Sequence, residues 1–132
     1  MNAVGCSMTR LRTFGLAAAV ALLALAGAGC AAQLAYRQGK EAAAERDWDL
    51  AVARYTRALD KDQDNIGYQI ALETARVQAS RMHYDEAKKH IAANDLRKAE
   101  EELGIASNYD PANRSAADDL AIVRQRILKQ EE

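Results

Sequence analysis

The sequence is poor in residues that interrupt helices. Its 132 positions hold one proline, Pro111, and seven glycines, four of them at or before Gly29. Beyond Gly29 the chain is rich in Ala, Glu, Arg and Leu, so it is expected to be almost entirely helical. The sequence also lacks the usual apparatus of an enzyme. It has no glycine-rich phosphate loop and no Ser-His-Asp constellation. Its two cysteines are Cys6 and Cys30. Its two histidines, His83 and His90, lie seven apart, about 10 Å along a helix. Two histidines that bind one ion on a helix are spaced three or four apart. No catalytic residue, cofactor or metal site is therefore expected, and both histidines read as surface residues. Charge of one sign is lacking as well. Setting Arg10 and Arg12 aside from the 18 basic residues leaves 16 against 19 acidic ones, interspersed along the chain. No nucleic-acid partner and no polybasic membrane patch follows from that pattern.

What is present begins with residues 1–29. Arg10 and Arg12 form a positive start, Gly15 to Ala26 is an uncharged apolar run, and the small residues Gly27 to Gly29 lead to Cys30. These are the three parts of an export signal, and the run is shorter than the ~20 residues of a membrane span. Small residues ending in cysteine resemble a lipoprotein signal, which implies lipidation at Cys30 and removal of 1–29. The match departs at Gly27, where the motif has Leu. Loss of 1–29 would leave Cys30 without an intrachain disulfide partner. The alternatives are an ordinary cleaved signal and an uncleaved anchor over Phe14 to Ala32. Ala31 after the cysteine carries no acidic retention signal, which favours the outer membrane.

The remainder contains an internal repeat. Residues 32–65 align with 80–113 at an offset of 48 without a gap. Eight positions are identical: Tyr36/Tyr84, Lys40/Lys88, Ala44/Ala92, Asp47/Asp95, Ala51/Ala99, Ala58/Ala106, Asp62/Asp110 and Asn65/Asn113. Each unit reads as helix, turn, helix, with Asp47 or Asp49 and then Asp95 capping the second helix. Leu34, Ala35, Gln38, Gly39 and Ala42 make the apolar stripe of the first helix. Ala51, Tyr55 and Ala58, then Ala99, Leu103 and Ala106, give the seams of the second helices. Residues 66–79 are additional. They supply Tyr68, Ile70, Ala71, Leu72, Ala75 and Val77 and predict one long helix from about Gly67 to Ala93. The tail, 114–132, is expected to start on a capping box of Ser115 and Asp118 and to form a cap helix on Leu120, Val123 and Ile127.

These units resemble the tetratricopeptide repeat, a helix hairpin of about 34 residues. Gly39 and Ala87 match its small residue, the two seams match its second helix, and Pro111 matches its closing proline. Its early Trp is replaced by Ala35 and His83, and its Leu by Gln38 and Glu86. The resemblance implies an all-α, short right-handed α-solenoid of five helices: two hairpins in 30–113, joined through a long helix and closed by a capping helix. It places Gln33, Tyr36, Lys40 and Ala43, with Arg81, Tyr84, Lys88 and Ile91, on the face where a protein partner binds. The run from Cys30 to His90 is similar to the lipoprotein-type region that precedes the ring domain of secretins in type II secretion and type IV pili. That implies a scaffold or assembly lipoprotein facing the periplasm. The alternative is a periplasmic adaptor for an unrelated envelope partner.

Overall fold

The computed structural model describes residues 30–132, so the segment read as an export signal, 1–29, lies outside the described residues. Among the described residues there are five helices and no strand. They are α1 (30–44), α2 (Trp48–Lys61), α3 (Ile66–Ala92), α4 (Leu96–Tyr109) and α5 (Arg114–Glu131). Consecutive helices pack on one another as an all-α, solenoid-like stack.

The turns show why the chain folds back where it does. At the end of α1, Arg46 adopts φ 61°. Its N–H donates to the Ala43 carbonyl at 3.1 Å, and the Asp47 N–H donates to Ala42 at 3.0 Å. The end of α3 has the same form: Asn94 adopts φ 57°, its N–H donates to Ile91 at 3.0 Å, and that of Asp95 donates to His90 at 2.9 Å. Both are helix stops built on one left-handed residue. The residue after the left-handed one then starts the next helix. The Asp47 carboxylate accepts from the Leu50 N–H, and that of Asp95 from the Lys98 N–H. At the other pair of turns Asn65 caps α3 through the Tyr68 N–H, and Asn113 caps α5 through the Ala116 N–H. Asp62 and Asp110 are the C-caps that precede them. Three of the eight identical pairs therefore hold turns. Two more, Ala51/Ala99 and Ala58/Ala106, are fully buried.

The start of α5 corrects the expectation for the tail. Its N-cap is Asn113, and Ser115 stands inside the helix. Asn competes with Ser for this role on equal terms, and the Asn113 amide gains a second partner, the buried Ser80 hydroxyl, at 2.9 Å.

The core lies in two parts joined by α3. Ala42, Ala51, Tyr55, Leu72 and Ala75 form one cluster at the first hairpin, continued by Ala32, Ala35, Ala58 and Tyr68. Ala87, Leu96, Ala99, Leu103, Ala106, Ala116, Val123 and Ile127 form the other. The 27 residues of α3 span about 40 Å at 1.5 Å each. Its buried stripe runs Tyr68, Leu72, Ala75 and Ala79, then moves around the helix at Ser80 to continue at Ala87. The first half thus serves α1 and α2, and the second half serves α4 and α5. Ile70 lies on the side of the helix opposite that first stripe and is 62% exposed, against the expectation that it packs. Leu34 on α1 is likewise exposed.

Candidate functional site

The two first helices of the hairpins, α1 and α3, carry the residues expected to bind a partner. On α1, Gln33 is exposed and its Oε1 accepts the Tyr68 hydroxyl at 2.9 Å. Tyr36 is half-buried; its ring centroid stands 5.6 Å from that of Tyr55 and 4.8 Å from that of Tyr68. Lys40, one turn on, is exposed, and Ala43 is half-buried. On α3, Arg81 is exposed. The Tyr84 hydroxyl donates to Asp119 on α5 at 3.0 Å, a bond that pushes its pKa above the ordinary tyrosine value. Lys88 stands 4.9 Å over the Tyr84 ring and pairs with Asp85 at 2.7 Å. Ile91 packs against the second core cluster.

The face therefore divides by depth. The tyrosines connect each first helix to the one two further on, Tyr36 to α3 and Tyr84 to α5. The cations Lys40, Arg81 and Lys88 reach solvent, with Gln33 beside them. Cys30, the candidate lipidation site, is exposed at the first described position. The described helices include none long and apolar enough to cross a membrane.

A second constellation was not foreseen. His83, on α3, has a side chain only 13% exposed and carboxylates on both ring nitrogens. Nδ1 lies 2.6 Å from Glu102 Oε2 of α4, and Nε2 lies 3.2 Å from Asp49 Oδ1 of α2. The Tyr109 hydroxyl donates to the same Asp49 oxygen at 2.6 Å, and its ring stacks on the imidazole with centroids 5.7 Å apart. Burial works against the charged ring. The bonds to Glu102 and Asp49, with their charges, outweigh it and hold the His83 pKa above 6.5. Burial, followed by the bond to Asp49, pushes the Tyr109 phenol up to about 12. With its two nitrogens aimed at opposite carboxylates, the ring cannot share one ion with both. No group of metal-binding side chains occurs among the described residues.

A groove of about 290 Å³ runs beside this junction, between α2 and α4 with α3 as its floor. Val52, Leu72 and Ile105 make it apolar, and Arg76 crosses it to donate to the Tyr109 carbonyl at 3.2 Å. The signal for the junction was in the repeat alignment. His83 stands where the first unit has Ala35, which is buried. A histidine at the counterpart of a buried position calls for partners. Asp49 and Glu102 have no identical counterparts across the offset, so the repeat did not mark them.

No protein-family model and no curated protein sequence matches the chain.

Proposed function

We propose that the chain is a non-enzymatic interaction module of the bacterial cell envelope, a scaffold or assembly lipoprotein that serves a secretin channel of type II secretion or type IV pili. Cys30 is its membrane anchor, and the face of α1 and α3 is its contact surface. The observation that carries this reading is the division of that face. Tyr36 and Tyr84 fix the helices from beneath, and Lys40, Arg81 and Lys88 remain solvent-exposed above them. Exposed cations on a rigid helical face fit a partner segment that offers carboxylates, with specificity and on-rate gained from charge. Substrate chemistry, a cofactor or a metal has no part in this function.

The reading is tested by placing a photo-crosslinking residue at Lys40 or at Lys88 in the full chain in cells, with Ala53 on the exposed side of α2 as the control position. An adduct with a secretin subunit from the first two positions, weaker from the third, supports it. Equal adducts from all three, or adducts only with other envelope proteins, overturn the secretin assignment. Cys30→Ser tests the anchor in the same cells. Release from the membrane fraction is the expected result, and retention is the contrary one.

A further inference from the structure

We propose that His83 is a proton-operated clamp between the two hairpins, closed when both ring nitrogens carry protons and released from Asp49 when one is lost. The argument starts from donor counting. A carboxylate only accepts hydrogen bonds. A neutral imidazole offers one N–H and one lone pair, and only the imidazolium offers two N–H groups. Nδ1 and Nε2 both face carboxylate oxygens, Glu102 Oε2 and Asp49 Oδ1. The arrangement is satisfied on both sides by the imidazolium alone.

The clamp crosses all the elements packed at this point. Asp49 comes from the first turn of α2, His83 from α3, and Glu102 and Tyr109 from α4. Among the described residues no lysine or arginine pairs with Asp49 or Glu102, so His83 is the cation that both carboxylates share. Loss of a proton leaves a lone pair against one carboxylate. Glu102 holds the shorter contact, so the lone pair falls to Asp49. The remaining side-chain tie between α2 and α4 is then the Tyr109–Asp49 hydrogen bond. That bond and α3 are what still join the hairpins, so release of His83 from Asp49 loosens one hairpin against the other and changes the spacing of Lys40 and Lys88 across the face. In that last step the clamp regulates the contact surface proposed above and rests on that reading; its proton chemistry does not.

The sign follows from linkage. The folded pKa of His83 is raised above 6.5. The clamp's stabilisation is complete below that value and is lost as pH rises through the folded pKa. Each unit by which the ring is raised corresponds to a roughly tenfold change in the folding equilibrium constant.

Two measurements on the full chain test the clamp. The first is an NMR titration of the His83 ring nitrogens in the unaltered protein, which needs no variant. Both nitrogens protonated near neutral pH, with a midpoint above 6.5, is the expected result; a midpoint at or below 6.5 overturns the proposal. The second is amide exchange in the first turn of α2 below and above that midpoint, corrected for intrinsic rates. Faster exchange above it in the unaltered chain, and fast exchange on both sides of it in His83→Gln, is expected. Exchange that ignores the titration overturns the release step. Glu102→Gln keeps the shape of the site and is expected to lower the His83 midpoint, whether or not His83→Gln folds. Neither readout involves a partner, so a failed crosslink and a failed clamp are separate results.

Discussion

A Cβ placed on Gly39 would lie 2.6 Å from Cδ1 and Cε1 of Tyr55, so α1 and α2 meet at van der Waals contact with no room for a methyl group. The second hairpin solves the same crossing differently. There Ala87 and Leu103, at the equivalent positions, share one buried cluster. A small residue against a flat aromatic ring and a methyl group against a branched aliphatic chain fill comparable space.

Substitution of Gly39 by Ala is therefore expected to destabilise the fold. Overpacking costs about 1–3 kcal/mol, and the gain in helix propensity returns at most about 1 kcal/mol. Gly104→Ala has the opposite sign. A Cβ there meets nothing within 4 Å, so the propensity gain of about 0.8–1 kcal/mol stands alone. Urea unfolding of the two variants checks the contrast. The double change Gly39→Ala with Tyr55→Leu reproduces the second hairpin's pairing and is expected to recover part of the loss. A double variant as unstable as the sum of its single changes would place the strain elsewhere.

Asn65 and Asn113 are identical across the repeat, yet their removal is expected to cost different amounts. Both cap a helix, a contribution of about 1 kcal/mol. The Asn65 amide donates to Asp62 at the surface, and the Asn113 amide donates to Ser80, which is fully buried. Asn113→Ala strands that hydroxyl and should lose about 2–3 kcal/mol, against about 1 kcal/mol for Asn65→Ala. Asn113→Asp keeps the cap, and the Ser80 hydroxyl can turn to donate to the new carboxylate. Its midpoint in thermal unfolding should fall well short of the Ala variant's loss.

How much of this was legible in the sequence depends on whether the signal was periodic. The hairpins, the cap at Asp95 and the seams through Ala51 and Ala99 repeat at an offset of 48, and repetition made them visible; between Asp47 and Asp49 the structure selects Asp47 as the first cap. Features made by one unit touching another do not repeat. Ser115 resembled a cap by its own local pattern, but the choice of Asn113 is reinforced by Ser80, 33 residues away. His83 looked like a solvated histidine because Asp49 and Glu102, which flank it, are 34 and 19 residues distant. Tyr36 and Tyr84 stood out as an identical pair, and the structure gives each a partner two helices further on, Tyr68 and Asp119. Truncating either one to Ala would disturb the stack as well as any contact surface, so the exposed lysines are the cleaner probes.

Arg46 and Asn94 occupy the same left-handed turn, at φ 61° and φ 57°. Asn tolerates this region through its short polar side chain, and an arginine does not share that advantage. Glycine adopts it without strain. Arg46→Gly is expected to stabilise the chain by about 1 kcal/mol, and Arg46→Asn by a smaller amount of the same sign. Asn94→Gly should change little. A β-branched residue such as Val at position 46 is expected to be destabilising, because its Cβ substituents crowd the backbone at positive φ. Calorimetric unfolding of the unaltered chain and the three position-46 variants is expected to give the order Gly, Asn, unaltered, Val. An order that puts Val above the unaltered chain would mean that the turn opens in solution.

Tyr109 is expected to ionise well above the ordinary tyrosine value. Burial and the adjacent Asp49 carboxylate hold its phenol up to about 12, from an ordinary value of 10.0. Its folded pKa is the higher one, so the neutral phenol contributes stability that is complete below about pH 10 and is lost between there and about pH 12. The measurement is phenolate absorbance against pH for the unaltered chain and for Tyr109→Phe. The variant should lack phenolate amplitude near pH 12. If the missing amplitude lies near pH 10 instead, Tyr109 is solvated and its bond to Asp49 does not persist. At neutral pH the same variant loses a hydrogen bond to a charged acceptor, about 1–2 kcal/mol. Asp49 then depends on His83 alone, so the stability of Tyr109→Phe should fall more steeply than that of the unaltered chain as pH rises through the His83 midpoint.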